Sequence, residues 1–156
     1  MEGKDALINL DKGMKQLAAA EKQWDINDLL NTLRSAAASY RNNKTYFLGV
    51  ANLDAFADNS NFIFGIAENN AFHAIITYRR FTGDFYGINP NRKRLVARTL
   101  KQSLSSIGFM LGVPRCSTPT CARAYPNSLD EHDAKSTDLC ETCKIGFERS
   151  LGKKLK

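Results

Sequence analysis

The sequence predicts an α/β (α+β) domain from three features: two segments with apolar residues at helical spacing, three short apolar runs rich in aromatic and β-branched residues, and four cysteines confined to the last third of the chain. The first helical segment is residues 26–40. Asp25 stands as its N-cap, and Ile26, Leu29, Leu30, Leu33, Ala37 and Tyr40 follow at steps of three and four. The polar turn Arg41-Asn42-Asn43-Lys44 ends it, and residues 45–51 then read as a strand covered on both faces and central in a sheet. Two further strands are expected over 61–67 (NFIFGIA) and 72–81 (FHAIITYRRF), parted by the turn-forming Glu68-Asn69-Asn70. A loop at 83–91 holds two glycines and a proline. Val96, Leu100, Leu104, Ile107 and Leu111 then line one face of a long helix over 92–111, which Gly112 and Pro114 stop. Beyond Cys116 the chain reads as irregular loop, apart from a short helix around 140–152. Residues 1–24 read as an arm or surface helix, and residues 148–156 as a basic tail.

With 156 residues, 43% hydrophobic and 24% charged, the chain has the balance of one compact core. Disordered and fibrous classes are excluded, and a second independent domain is not expected. No apolar run approaches the 18 or more residues of a membrane span, and the opening MEGKDALINLDKGMKQ lacks the apolar stretch of a secretory signal. A cytoplasmic location without a membrane partner is expected. The charge is uneven: residues 79–156 carry 15 lysines and arginines against 7 acids, whereas residues 1–78 carry 7 against 9. Such a basic half suggests an anionic partner, of which nucleic acid is the commonest.

Cys116, Cys121, Cys140 and Cys143 form two close pairs, Cys-x4-Cys and Cys-x2-Cys, with 18 residues between them. Two such pairs can place four thiolates tetrahedrally around one Zn²⁺, a closed shell that holds structure and performs no chemistry. Two disulfides or four unrelated thiols are the alternatives, and a reducing compartment disfavours the first.

In order, LGVANLDAF at 48–56, NFIFGIA at 61–67, IITYRRF at 75–81, the long helix, the Gly112 turn and the Cys116-to-Cys143 constellation with PNSLDEHDAK at 126–135 resemble the archaemetzincin family of zinc metallopeptidases. The resemblance implies a metzincin-like mixed, twisted sheet packed on an amphipathic helix and a long active-site helix. It also implies HExxHxxGxxHC, whose histidines bind a catalytic zinc and whose glutamate activates water. Here the stretch is SSIGFMLGVPRC. Ser105, Phe109 and Arg115 stand at the ligand positions, Ser106 at the glutamate, and Arg123 where the family places a methionine after the second cysteine. The expectation drawn from this is a protein that is not an enzyme, with one structural zinc as its only cofactor.

No Gly-x-Ser-x-Gly turn supports Ser103, Ser105 or Ser106 as a nucleophile, and no phosphate-binding glycine motif is present. His73 and His132 are read as surface or hydrogen-bonded residues. Arg79, Arg80, Arg92, Lys93, Arg94, Arg98 and Lys101 are interleaved with Tyr78, Phe81, Phe85 and Tyr86, and Arg94, Arg98 and Lys101 share one helical face. Together with Lys153, Lys154 and Lys156 they are the candidate nucleic-acid contacts. The expected role is a binding factor on a large assembly, such as the ribosome or another RNA–protein particle, inhibitory or dormancy-related in character. The alternative is a peptide-binding module or peptidase regulator that uses a cleft beside the 74–78 strand.

Overall fold

The computed structural model describes residues 23–42 and 44–154. β1 (Gln23–Asp25) leads directly into α1 (Ile26–Ala37), and a 3₁₀ turn follows at Ala38–Tyr40. β2 (Phe47–Ala51), β3 (Asp54–Ala57), β4 (Ser60–Ile63), β5 (Gly65–Ala67) and β6 (His73–Thr77) come next, then 3₁₀ turns at Arg79–Phe81 and Asp84–Tyr86. α2 (Arg92–Met110), α3 (Leu129–Ala134) and α4 (Glu141–Lys154) complete the order. The strands form two three-stranded sheets, β1-β3-β4 and β2-β6-β5. β1 with β3 and β2 with β6 are parallel, whereas β4 with β3 and β5 with β6 are antiparallel. Residues 1–22, most of the expected N-terminal arm, lie outside the described residues, and Gln23 and Trp24 belong to β1.

Asp25 caps α1 as its sequence suggests, accepting the Asn27 backbone N–H at 2.8 Å. The apolar face of α1, Ile26, Leu29, Leu30 and Leu33, packs with Ala51, Ala55 and Ile75 of the sheets and with Leu53 between β2 and β3. Each leucine or isoleucine buried in this way stabilises the fold by about 1.5–3 kcal/mol.

Three strand expectations are corrected. The run 61–67 is two strands, because the chain passes from one sheet to the other at Phe64. Gly65 permits the crossing, since a Cβ there would stand 2.6 Å from the Ile75 carbonyl oxygen. The central strand is β6 and not residues 45–51: every residue of β6 is buried, with β2 on one side and β5 on the other. That placement also removes the 74–78 edge as a peptide seat. Finally, Arg79 and Arg80 lie in a 3₁₀ turn beyond β6 and not on a strand.

α2 has nearly its expected length, but the opposite face is buried along its N-terminal half. Val96 and Leu100 are 56% and 44% exposed, while Arg98 and Lys101 are 6% and 3% exposed. The cause lies in α3. Arg98 pairs with Asp133 through Nε and Nη2, at 2.7 and 2.6 Å, and its Nη1 donates to the Phe81 carbonyl at 2.8 Å. Lys101 Nζ donates to the carbonyls of His132, Asp133 and Lys135 at the C-terminal end of α3. α3 itself went unread in the sequence although it carries a capping signal: Ser128 Oγ accepts the Glu131 N–H, and the Glu131 carboxylate reaches back to the Asn127 N–H. His132 is fully buried, its ring 5.0 Å from Phe81 and nearly parallel to it, with Nε2 3.1 Å from the Arg98 carbonyl; burial pushes its pKa down to about 4. The expected 148–156 tail is largely helix, because α4 runs to Lys154.

Candidate functional site

The four cysteines converge. Cys116 and Cys121 lie on the loop between α2 and α3, Cys140 precedes α4, and Cys143 sits in the first turn of α4. All four Sγ atoms lie within 4.8 Å of one another, and those of Cys116 and Cys140 are 3.6 Å apart. Four sulfurs about 2.3 Å from a tetrahedral zinc stand about 3.8 Å from each other, so the cluster fits one ion. Backbone N–H groups are directed at the sulfurs: Thr118 at Cys116, and Arg123 and Cys140 at Cys121. The Cys143 N–H brings the Cys140 thiol down to about 7, whereas burial pushes the Cys143 thiol up to about 12. Donors aimed at sulfur favour thiolates, and thiolates bind metal. Bound here, Zn²⁺ would have its shell closed by the four cysteines and would tie the α2–α3 loop to the start of α4.

Against the same loop lies a cleft of about 450 Å³. Residues 60–67 line it together with Gln102, Ser105, Ser106 and Phe109 of α2 and, from beyond α2, Arg115, Arg123 and Tyr125. Among the described residues no aspartate, glutamate, histidine or cysteine lines it. Arg123 is 2% exposed, and its guanidinium donates to the carbonyls of Pro114 and Val113 at 2.7 and 2.8 Å. Its Nε has no hydrogen-bond partner among the described residues and lies against Gly108, where any Cβ would overlap it. Arg115 is exposed, with its guanidinium carbon 4.6 Å from the Tyr125 ring centroid and 5.4 Å from that of Phe109. Among the described residues neither arginine has a carboxylate within 4.0 Å.

Of the ten basic residues named as nucleic-acid contacts, eight have described side chains, and two of these are buried. Arg98 and Lys101 are buried against α3, which breaks the cationic stripe expected on α2. Arg80 is paired with Asp54, and Arg79 with Asp84. Arg92, Lys93 and Arg94 are exposed in the first turn of α2, and Lys153 is exposed near the end of α4. Lys156 and the Lys154 side chain lie outside the described residues.

With this geometry in view, the match to known proteins is specific. Residues 3–149 match Peptidase family M54. The chain belongs to that family. It is 38% identical over 104 residues to the archaemetzincin of Pyrococcus abyssi, a match that covers 67% of this chain and 55% of the relative. The crystal structure of archaemetzincin from Methanopyrus kandleri superposes with a TM-score of 0.71 at 26% identity, covering 83% of this chain and 67% of that one. A zinc-dependent peptidase from Methanocorpusculum labreanum superposes with a TM-score of 0.65, also at 26% identity, covering 90% and 70%. The chain thus spans little more than half the length of the P. abyssi relative.

Membership of M54 corrects the expectation that the chain is not an enzyme. The family is one of peptidases, the relatives carry the name archaemetzincin, and one solved relative is a zinc-dependent peptidase. Four side chains read from one motif do not outweigh a family match that runs from residue 3 to residue 149. The cleft residues nonetheless do not fit a zinc ion. Serine hydroxyls, a phenyl ring and a guanidinium offer no strong metal donor, and two arginines repel a dication. Among the described residues, the cysteine cluster is the one group of three or more His, Cys, Asp or Glu side chains close enough to share a metal.

Proposed function

We propose that this M54 domain is directed at peptides and receives an extended segment in the cleft between residues 60–67 and α2. The observation that carries this reading is the position of β5. It ends the β2-β6-β5 sheet with no further strand beyond it among the described residues, and its residues line the cleft. A sheet edge bordering a cleft can add a peptide by main-chain hydrogen bonds, while side-chain identity is read by the opposite wall. Membership of a peptidase family supports the same substrate class.

The test is incubation of the purified, zinc-replete chain with a hexapeptide library, followed by mass spectrometry of both the retained and the newly cleaved peptides, with and without chelator. Retention of a subset of peptides, lost when their backbone amides are N-methylated, is the expected result. Equal recovery of every peptide in the bound and unbound fractions rejects the reading.

Association with an RNA-containing assembly such as the ribosome has narrower support. It keeps Arg92, Lys93 and Arg94, exposed in a helical first turn without an acidic residue. A cationic first turn beside the positive end of a helix dipole attracts phosphate. RNA is accordingly the competitor ligand in the experiment below.

A further inference from the structure

We propose that the cleft binds a carboxylate of its peptide, held by Arg115 at the position where the family resemblance expects a metal ligand. The inference rests on the peptide-directed reading above and adds to it the chemical group that is recognised.

Three observations carry it. First, the electrostatics of the lining have one sign among the described residues: Arg115 and Arg123 contribute two cations, and none of the lining side chains is acidic. Arg123 is buried and has no carboxylate partner among the described residues, so none of their acidic side chains competes for it. Second, Arg115 is held ready. Its guanidinium lies near the rings of Phe109 and Tyr125, which restricts the side chain without occupying its donor groups. A planar guanidinium with free nitrogens matches a carboxylate through two parallel hydrogen bonds. Third, Ser105 and Ser106 face the same cleft, and their hydroxyls can donate to an anion. A metal site would need the opposite arrangement, with lone pairs converging on one point.

Arg123 is a positioning residue in this scheme. Its two hydrogen bonds to the Val113 and Pro114 carbonyls fix the backbone immediately before Arg115. The carboxylate can belong to the peptide's C-terminus or to an aspartate or glutamate side chain. Both present the same two oxygens, and the probes below separate them.

The experiment is a fluorescence-anisotropy titration of the full, zinc-loaded chain with four labelled hexapeptide pools: free C-terminus, C-amidated, C-amidated with an internal glutamate, and the same with glutamine. Arg115→Gln and Arg115→Lys are compared with the unsubstituted chain, and zinc content and circular dichroism verify that each variant is folded. Carboxylate-bearing pools are expected to bind at least tenfold more tightly than their neutral counterparts. That preference should vanish in Arg115→Gln and be only partly kept in Arg115→Lys, which retains charge but not the planar fork. A preference confined to the free C-terminus assigns the terminal carboxylate; one confined to the glutamate pool assigns the side chain. If neutral and acidic pools bind equally well, carboxylate recognition is overturned while the peptide-directed reading stands. If no pool binds, both fall. If single-stranded RNA displaces the acidic pool and loses its own affinity in Arg115→Gln, the cleft is a phosphate site and the proposal is wrong.

Discussion

α2 borders two regions that bury positive charge, and they solve the problem differently. Near its middle, Arg98 is matched by Asp133, and Lys101 is surrounded by three carbonyls at the end of α3. Nearer its C-terminus, Arg123 packs on Gly108 with two carbonyls, no carboxylate and an unpartnered Nε. The first arrangement is closed: each cation meets counter-charge or oriented dipoles supplied by the chain, and nothing remains for a ligand to do. The second is more open, because beside a cleft it leaves one guanidinium nitrogen, Nε, without a hydrogen-bond partner and supplies no carboxylate among the described residues. Buried cations in the same helical neighbourhood therefore mark structure in one case and the proposed binding surface in the other, and what separates them is the kind of partner and not the burial.

The most disruptive way to break the comparison is through the cysteine cluster, since Arg123 is two residues beyond Cys121 and its N–H is directed at that sulfur. Cys143→Ser should reduce zinc, measured by atomic emission, from about one ion per chain to near zero. Structural zinc of this kind contributes about 10–16 kcal/mol of apparent binding energy in small peptides. Hydrogen exchange should then show protection lost across residues 113–124 and α4, while the amides of α2 stay protected.

A smaller effect is expected where the charge is matched. Asp133→Asn leaves Arg98 buried without its counter-ion and should cost about 2 kcal/mol in urea unfolding, below the full buried-pair penalty because Asp133 is a third exposed. Hydrogen bonding from Arg98 holds the Asp133 carboxyl below the usual carboxylate range. The folded-state value being depressed, the pair's contribution is present above that range and is lost as pH falls through the lower value. The variant should lack this part of the acid dependence; a parallel loss of stability in both proteins down to pH 2 would show that the pair contributes nothing.

The smallest effect sharpens the open side. Gly108→Ala gains helix propensity but pushes a methyl into Arg123, for a net cost of about 1 kcal/mol. In the double variant with Arg123→Met, most of that cost should be recovered, and a double-mutant cycle with zero coupling would refute the contact.

What could be read from the sequence follows the range of the interaction. The cysteine cluster was legible because metal ligands must come as close pairs and their spacing is local. The N-cap of α1 and the limits of α2 were legible for the same reason. The buried face of α2 was not, because what satisfies Arg98 and Lys101 is supplied more than 30 residues later, by Asp133 and the α3 carbonyls. Periodicity took Val96 and Leu100 for core, since hydrophobicity alone cannot foresee that a buried lysine will have three acceptors. α3 was readable in principle from Ser128 and Glu131, but six residues offer too little periodicity to notice. The sheet edge was misplaced because β2 and β6 are both apolar, and only the crossover at Phe64 and Gly65 decides which lies inside.

The ammonium of Lys101 also sets an order of events. A helix of six residues does not stand alone in water, because the cost of nucleation outweighs the few hydrogen bonds it gains. α3 is held at its start by Ser128 and at its end by a side chain from α2, so residues 129–134 wait for residues 92–110 to be in place. The outside fastenings of α3, the Lys101 ammonium and the Arg98–Asp133 pair, both come from that one helix.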